Sequence, residues 1–278
     1  MADARMITAT TSSDVGDALW LKHLILGDAN SSLPSSHPLR SGFDALRRSI
    51  SGQFMNDLHR EDLANLKVRA QFLRSVEPDW HEHSSELIAK LQDRRQCPGV
   101  LFELELGSLL KGVGLRPRWT AFEQGVPDWS ADDAQFEVEC KQAQNAAKSS
   151  DYSRYLREIA GQHPNRSTPL VAAIGFAQPL GLDQIDAMRE EAKRYLPWLT
   201  RHREISAVLI VGKESGIRRV KRLGLSGFDH QRQTVTEIRN LNALRPLPSE
   251  VQFGNGRSPA VFKFPGAMDS LTRRVGED

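Results

Sequence analysis

Residues 125–142 of the chain read GVPDWSADDAQFEVECKQ. The part from residue 134 to residue 141 predicts a β-strand, in which successive side chains point to opposite faces. One face carries Phe136, Val138 and Cys140, and the other carries Glu137, Glu139 and Lys141. Burying charge without compensation is costly, so three charges on one face of a core strand need partners or a function.

A further carboxylate precedes this strand. Asp128 follows Pro127 on a short extended piece, ten intervening residues before Glu139. A short turn would bring Asp128 beside Glu139. Two carboxylates that meet in this way form an oxygen site for a hard cation such as Mg²⁺, which keeps several waters and takes few protein ligands. Lys141 would point to the same place.

The pairing of Pro127-Asp128 with Glu139-Cys140-Lys141 resembles the motif of the PD-(D/E)xK nuclease superfamily, which has the restriction-endonuclease-like fold. Upstream, residues 102–115 (FELELGSLLKGVGL) are similar to the first core helix of the Mrr-type branch, where a Phe-Glu pair opens the helix. The predicted order of helix, three strands, helix and strand over residues 100–177 also resembles the family's core. The resemblance covers residues 98–212.

This resemblance implies an endonuclease that hydrolyses phosphodiester bonds with Mg²⁺ or Mn²⁺ as cofactor. Asp128, Glu139 and the backbone carbonyl of Cys140 would hold the metal, and Glu103 would hold a second metal or a metal-bound water. Lys141 would orient the attacking water and offset negative charge in the transition state. DNA is expected more than RNA as the substrate, because the family acts on DNA more often.

Several residues near the motif keep two interpretations. Glu103 and Glu105 flank the apolar stripe of their helix on opposite edges, so helical geometry does not separate them, and only the family's Phe-Glu register favours Glu103. Glu137 is either an auxiliary ligand or outside the site. Gln142 and Gln144 follow the motif and are candidates for contacts with phosphate.

The same short motifs recur elsewhere without their context. Pro78-Asp79 has no Glu-x-Lys or Asp-x-Lys nearby, and Glu191-Ala192-Lys193 lies in a predicted helix. The histidines are scattered, and His81-Glu82-His83 lacks the i, i+4 spacing of a helical metal pair. The sequence has neither a Walker A motif nor a GxGxxG motif.

Two other functions stay open. One is a catalytically inactive module that uses the same fold for nucleic-acid binding or assembly, since a fold alone does not establish an activity. The complete set of Asp128, Glu139 and Lys141 favours catalysis, because an inactive protein could have lost one of them. The other is a glycoside hydrolase with Asp128 and Glu137 or Glu139 as its acid–base pair, which would leave Lys141 unexplained.

The hydrophobic pattern changes near the breaker Cys97-Pro98-Gly99 and predicts two regions. Residues 1–97 predict a helical region with segments over 14–26, 39–50, 54–76 and 80–95. Residues 98–278 predict an α/β domain with a C-terminal extension, and the resemblance implies that its core is nuclease-like, with a mixed central sheet flanked by helices. Its predicted helices are 101–113, capped by Gly114, 149–162, 182–199 and 231–244. Its predicted strands are 115–122, 134–141, 170–177 and 205–212, with short strands near 251 and 261.

The composition excludes some classes of protein. The 278 residues carry 37 Lys and Arg against 35 Asp and Glu, a net charge of +2, which is compatible with a nucleic-acid partner but does not indicate one. No apolar run approaches the ~18–20 residues of a membrane helix, and the N-terminus lacks the apolar core of a secretory signal. A cytoplasmic protein without membrane association is therefore expected. Two cysteines form neither a disulfide framework nor a zinc site.

The N-terminal helices carry a prediction of their own. Each amphipathic segment between residues 14 and 95 has an apolar stripe that must be covered. The basic residues of these segments are offset by acidic ones, which disfavours phosphate binding there. Homodimerisation through the N-terminal helices is the expected use of this region.

Overall fold

The computed structural model describes residues 12–27, 31–131, 136–143, 149–176, 199–220, 225–251, 253 and 260–263. The chain forms two compact units, Met1–Glu105 and Leu106–Asp278. The boundary between the units falls inside the helix that begins at Cys97. None of the helices in the described part of the chain is long and apolar enough to cross a membrane.

Helices build the first unit. They are α1 (Ser12–Leu26), α2 (Arg40–Ile50), α3 (Asp57–Ser75), α4 (Glu77–Trp80) and α5 (Ser84–Gln92), with a 3₁₀ turn at His81–His83. α3 begins at a capping box in which the Asn56 side chain accepts the His59 N–H at 2.9 Å. The single helix predicted over residues 80–95 is wrong in part, because the 3₁₀ turn interrupts it and α5 ends at Gln92.

Helix α6 (Cys97–Gly112) continues into the second unit and ends as its sequence predicts. Gly114 has a φ of +87°, a left-handed conformation in which residues with a Cβ are strained. Its N–H donates to the Lys111 carbonyl at 3.0 Å, which satisfies one of the last carbonyls of the helix. The predicted Gly114 cap is confirmed. The predicted start of this helix at residue 101 is wrong. Cys97-Pro98-Gly99, interpreted from the sequence as a breaker, forms the first turn of α6.

The second unit contains a mixed α/β arrangement around one open sheet. Its strands are β1 (Pro117–Trp119), β2 (Trp129–Ala131), β3 (Phe136–Ala143), β4 (Leu170–Phe176), β5 (Ile205–Val220), β6 (Leu225–Arg239) and β7 (Ala260–Lys263). Within the described residues these seven strands lie side by side in chain order. β3, β4 and β5 are parallel, and every other neighbouring pair is antiparallel.

Helix α7 (Ser149–Gln162) links β3 to β4 and covers one face of the sheet. Its Tyr152, Leu156 and Ile159 are buried against alternate residues of β4, among them Ala172 and Ile174. The intervening β4 residues are also fully buried, which agrees with the continuous apolar run that predicts a strand covered on both faces. This packing brings the C-terminal end of α7 over the charged face of β3.

The C-terminal part of the sheet differs from its prediction. Residues 231–239, predicted as part of a helix, form the end of β6, and β5 continues eight residues past the predicted end at 212. Val235 pairs with Val211 and is fully buried, and β-branched residues flank it on both sides, so pairing with β5 outweighs the weak helical pattern. Val251 lies outside any strand, whereas Val261 lies in β7. The helix predicted over residues 182–199 falls almost wholly outside the described residues.

Candidate active site

Asp128 and Glu139 lie beside each other because of the pairing between β2 and β3. Trp129 pairs with Val138, so Asp128 and Glu139 occupy the next facing positions of the two antiparallel segments. Asp128 Oδ2 accepts the N–H of Cys140 at 2.7 Å. The backbone around Asp128 is held by Thr120, whose N–H donates to the Asp128 carbonyl at 2.8 Å and whose hydroxyl donates to the Pro127 carbonyl.

Glu139 is buried, with 7% of its surface exposed, and both of its oxygens have cationic or N–H partners. Lys141 Nζ lies 2.7 Å from Oε1, and His163 Nε2 lies 3.1 Å from Oε2. An ionised carboxylate only accepts hydrogen bonds, so the hydrogen between His163 and Glu139 belongs to Nε2. The carboxylate is therefore held in one orientation from two sides.

Lys141 lies on the same face of β3 as Glu139, and α7 provides its other partners. Its Nζ donates to Gln162 Oε1 at 3.0 Å and lies 3.4 Å from Glu158 Oε1. Glu158 and Gln162 are four residues apart and therefore share one face of the helix. The ammonium group is thus positioned among three side chains, two of which come from a different element.

The electrostatics of Glu139 and Lys141 favour the charged form of both. Burial opposes ionisation of Glu139 and is the largest influence on it, but the hydrogen bonds and charges of His163 and Lys141 outweigh burial, and the pKa of Glu139 lies below its usual value. Burial is also the largest influence on Lys141. The charge and hydrogen bond of Glu139, with the charges of Glu158 and Asp128, outweigh it and raise the pKa of Lys141.

Glu137 has partners that tie it to the loop between α7 and β4. Arg166 binds both of its carboxylate oxygens, and the Thr168 hydroxyl donates to its Oε2 at 2.6 Å. Glu137 is itself 8% exposed. Of its two sequence-based interpretations, these contacts favour a structural role outside the site.

Within the Leu106–Asp278 unit, the structure brings Asp128, Glu139 and Lys141 together. Glu103 lies on α6 in the part of the chain assigned to the Met1–Glu105 unit, and its Oε2 is buried. Glu105 is also buried, and its charge acts on Arg69 of α3. A role for Glu103 and for the Cys140 carbonyl in metal binding stays a prediction.

The structure describes only some of the other residues and motif repeats singled out from the sequence. Gln142 continues β3 and is half-buried, whereas Gln144 and Glu191-Ala192-Lys193 lie outside the described residues. Pro78 lies in the short helix α4 and not in an extended segment. His81, Glu82 and His83 are all exposed in their 3₁₀ turn, where the sequence predicts a surface.

The donors at this site fit a hard divalent cation. In the described part of the chain no three His, Cys, Asp or Glu side chains are arranged to hold a metal ion. Mg²⁺ needs fewer protein ligands than that, because it keeps several waters and often binds through one or two carboxylates. Asp128 and Glu139 provide two such carboxylates at facing positions, and the adjacent lysine offsets part of their charge.

Sequence reasoning missed the residues that α7 brings to the site. His163 was one of several scattered histidines, and Glu158 and Gln162 belong to an ordinary amphipathic helix. The i, i+4 spacing of Glu158 and Gln162 gives a weak signal that they act on one face. No local pattern links His163 to Glu139, because 24 residues separate them.

Comparisons with protein-family models, curated proteins and solved structures found no match to this chain.

Proposed function

We propose that the protein is a metal-dependent nuclease that hydrolyses phosphodiester bonds, with DNA as the expected substrate. The observation that carries this proposal is that Asp128 faces Glu139 across the pairing of β2 with β3, while Lys141 Nζ lies 2.7 Å from Glu139 Oε1. Two facing carboxylates beside a half-buried ammonium group combine ligands for a hard cation with a charge that stabilises an anionic transition state.

The topology of the second unit supports the same proposal. The elements α6, β1, β2, β3, α7 and β4 follow one another in the order that the PD-(D/E)xK resemblance implies. The two motif carboxylates lie on adjacent antiparallel strands or at their ends, and the β3–α7–β4 crossover joins parallel strands. The restriction-endonuclease-like identity of this fold is part of the proposal.

In the proposed mechanism Asp128 and Glu139 would hold Mg²⁺ or Mn²⁺, and such a cation would supply Lewis-acid activation of water and offset charge on the phosphate. Lys141 Nζ would hydrogen bond the attacking water and stabilise the charge that develops on the phosphoryl oxygens. Glu158 and Gln162 hold this ammonium group in place. His163 Nε2 holds the second oxygen of the Glu139 carboxylate.

A plasmid assay tests the proposal. The purified protein should nick or cut plasmid DNA with Mg²⁺ or Mn²⁺, and EDTA should abolish the reaction. Asp128→Ala, Glu139→Ala and Lys141→Ala should each reduce the rate about a hundredfold or more, the loss typical of one electrostatic contact to the transition state. Glu191→Ala, in the recurring Glu-x-Lys motif, should cleave at the wild-type rate.

The outcomes separate the alternatives. Cleavage that persists in EDTA would contradict a two-carboxylate metal mechanism. Cleavage of RNA alone would keep the mechanism and overturn the expected preference for DNA. A protein that binds DNA, never cuts it and tolerates Lys141→Ala would be the inactive binding module instead.

A further inference from the structure

Strands β5 and β6 extend beyond the rest of the sheet as a two-stranded ribbon. β4 pairs with β5 only as far as Gly175 with Val211, and β7 pairs with β6 only over Arg232–Val235. Among the described strands, residues 213–220 of β5 therefore pair only with β6, and residues 225–231 of β6 pair only with β5. Eight residues of strand at ~3.3 Å each make this ribbon roughly 26 Å long.

The ribbon leaves the sheet at the end where the candidate site lies. Lys141 of β3 pairs with Ile174 of β4, which pairs with Ile210 of β5. The ribbon begins only three residues later, at Lys213, and β5 runs parallel to β3. Two strand spacings of ~4.8 Å separate β3 from β5, and three residues at ~3.3 Å separate Ile210 from Lys213. The base of the ribbon therefore lies about 10 Å to the side of Lys141 and about 10 Å further along the strand direction.

The sequence of the ribbon is strongly basic. Residues 213–231 contain five Lys or Arg and two Asp or Glu, a net charge of +3 in a chain whose total is +2. Two of the five, Lys221 and Arg222, lie between the two strands in the sequence. Glu214 pairs in register with Arg232, whereas Arg218 and Arg219 pair with Gly227 and Ser226. The register therefore puts no carboxylate opposite the two adjacent arginines.

We infer that this ribbon, residues 213–220 and 225–231, binds double-stranded nucleic acid and holds it beside the candidate site. The major groove of DNA is ~12 Å wide and admits a two-stranded β-ribbon. Arginines along such a ribbon bind phosphate oxygens and fix the position of the duplex. The inference rests on the proposed nuclease function, because that function makes nucleic acid the partner and explains why the ribbon stands next to Lys141.

The test is the affinity of the full-length protein for a fluorescein-labelled 20-base-pair DNA duplex, measured by anisotropy in EDTA so that nothing is cut. Arg218→Ala/Arg219→Ala should weaken binding at least tenfold at 0.1 M salt. The slope of log K against log salt concentration should become less steep by about 2, since two phosphate contacts are lost. The matched control is Arg94→Ala/Arg95→Ala, which removes the same charge from exposed residues of the first unit and should bind within twofold of wild type.

A charge-conserving variant guards against misfolding. Arg218→Lys/Arg219→Lys should keep the wild-type salt slope, and circular dichroism should be unchanged in all three double variants. Equal losses from the ribbon and control variants, or an unchanged slope after Arg218→Ala/Arg219→Ala, would overturn the inference. If single-stranded DNA of equal length bound as tightly as the duplex, the claim that the ribbon lies in the major groove would be overturned.

These results are distinguishable from failure of the proposed function. Because binding is measured without metal, a ribbon variant can lose affinity even if the plasmid assay detects no cleavage. Conversely, plasmid cleavage lost with Lys141→Ala while the ribbon variants bind normally would support the nuclease and reject the ribbon.

Discussion

Glu139 is held at both of its oxygens, and His163 is the partner whose part in this can be tested separately from the lysine. Its ring is 5% exposed, and its N–H is donated from the end of α7 to Oε2 of the carboxylate. The residue touches neither substrate nor metal in the proposed mechanism. His163 is therefore a positioning residue, and its loss should act through the orientation of Glu139.

We expect His163→Ala to weaken Mn²⁺ binding about 10- to 100-fold, the usual cost of removing a hydrogen bond to a metal ligand. Calorimetric titration of the folded protein with MnCl₂ measures this. His163→Gln keeps an N–H donor and should recover much of the affinity, whereas His81→Ala, at an exposed position, should bind as wild type. Equal losses from His163→Ala and His163→Gln would contradict a role through the hydrogen bond.

At the scale of residues, the sequence predicts what alternation and spacing control. Strand alternation puts Glu139 and Lys141 on one face, and the short interval to Asp128 allows a facing position, and all three lie together in the structure. The partners from α7 depend on how a helix returns across the sheet. How α7 packs over β3 depends on contacts between residues distant in sequence, so no local pattern around residues 158–163 predicts it.

At the scale of elements, α6 depends on a glycine that lets an indole ring approach. A Cβ built on Gly107 would lie 2.2 Å from two ring carbons of Trp129, which is fully buried. Gly107→Ala should therefore destabilise the protein by about 1–3 kcal/mol or more, as overpacking of a core does. Urea denaturation followed by tryptophan fluorescence measures the change.

Gly112 provides the matched control on the same helix, because a Cβ there meets nothing within 4 Å. Gly112→Ala should be neutral or stabilise by up to about 1 kcal/mol, the general preference for alanine in helices. Equal effects from the two substitutions would mean that Trp129 does not pack against Gly107.

His37 links the segment before α2 to the end of α5. Its Nε2 donates to the Leu91 carbonyl at 3.0 Å, and its Nδ1 accepts the Leu39 N–H at 3.2 Å. Burial, the largest influence, lowers the pKa of His37 below the ordinary 6.5. Protonation would turn Nδ1 into a donor that faces another donor.

The sign of the pH effect follows from this lowered pKa. Between the folded pKa and 6.5 the unfolded chain binds more protons, so stability rises with pH across that window and is lost as the pH falls below 6.5. His37→Gln should therefore lose less Tm than wild type between pH 7.5 and pH 5.5. Burial also lowers the pKa of His202. Part of the dependence of Tm on pH should therefore remain in both the wild type and His37→Gln. If His37→Gln lost as much Tm as the wild type between pH 7.5 and pH 5.5, the result would contradict the hydrogen bonding of His37.

Most helices and the central strands were predictable because their hydrophobic periods are clear. α7 has the predicted bounds, and β4 ends one residue earlier than predicted. β6 was not predictable from the sequence. It makes fourteen pairings with β5, and its own residues show only a weak hydrophobic alternation. Long-range pairing decides such a segment, and it leaves little trace in a single stretch of sequence.

At the scale of the whole molecule, the helical first unit has apolar side chains that solvent can reach. Ile50, Phe54 and Leu58 are 56%, 83% and 63% exposed, around the end of α2 and the start of α3. Contiguous exposed apolar groups commonly mark interaction surfaces. Homodimerisation through the N-terminal helices, as predicted from their sequence, would cover them.

Light scattering tests this prediction. Wild-type protein at micromolar concentration should have twice the 31.1 kDa mass of one chain, and Phe54→Asp/Leu58→Asp should have the mass of one chain. Leu241→Asp, at a leucine that is 94% exposed in the second unit, should keep the mass of wild type. A wild-type protein that is monomeric under these conditions would end the prediction.

The central claim is that Asp128 and Glu139 bind one divalent cation for catalysis. Its most direct test is a crystal structure of the protein soaked in MnCl₂, with data collected to detect the anomalous signal of manganese. The account predicts an anomalous peak at ~2.0–2.3 Å from an oxygen of each carboxylate, in the range of hard-cation ligand distances, and no such peak in Asp128→Asn crystals treated identically. A soaked wild-type crystal with ordered Asp128 and Glu139 side chains and no peak between them would contradict the account.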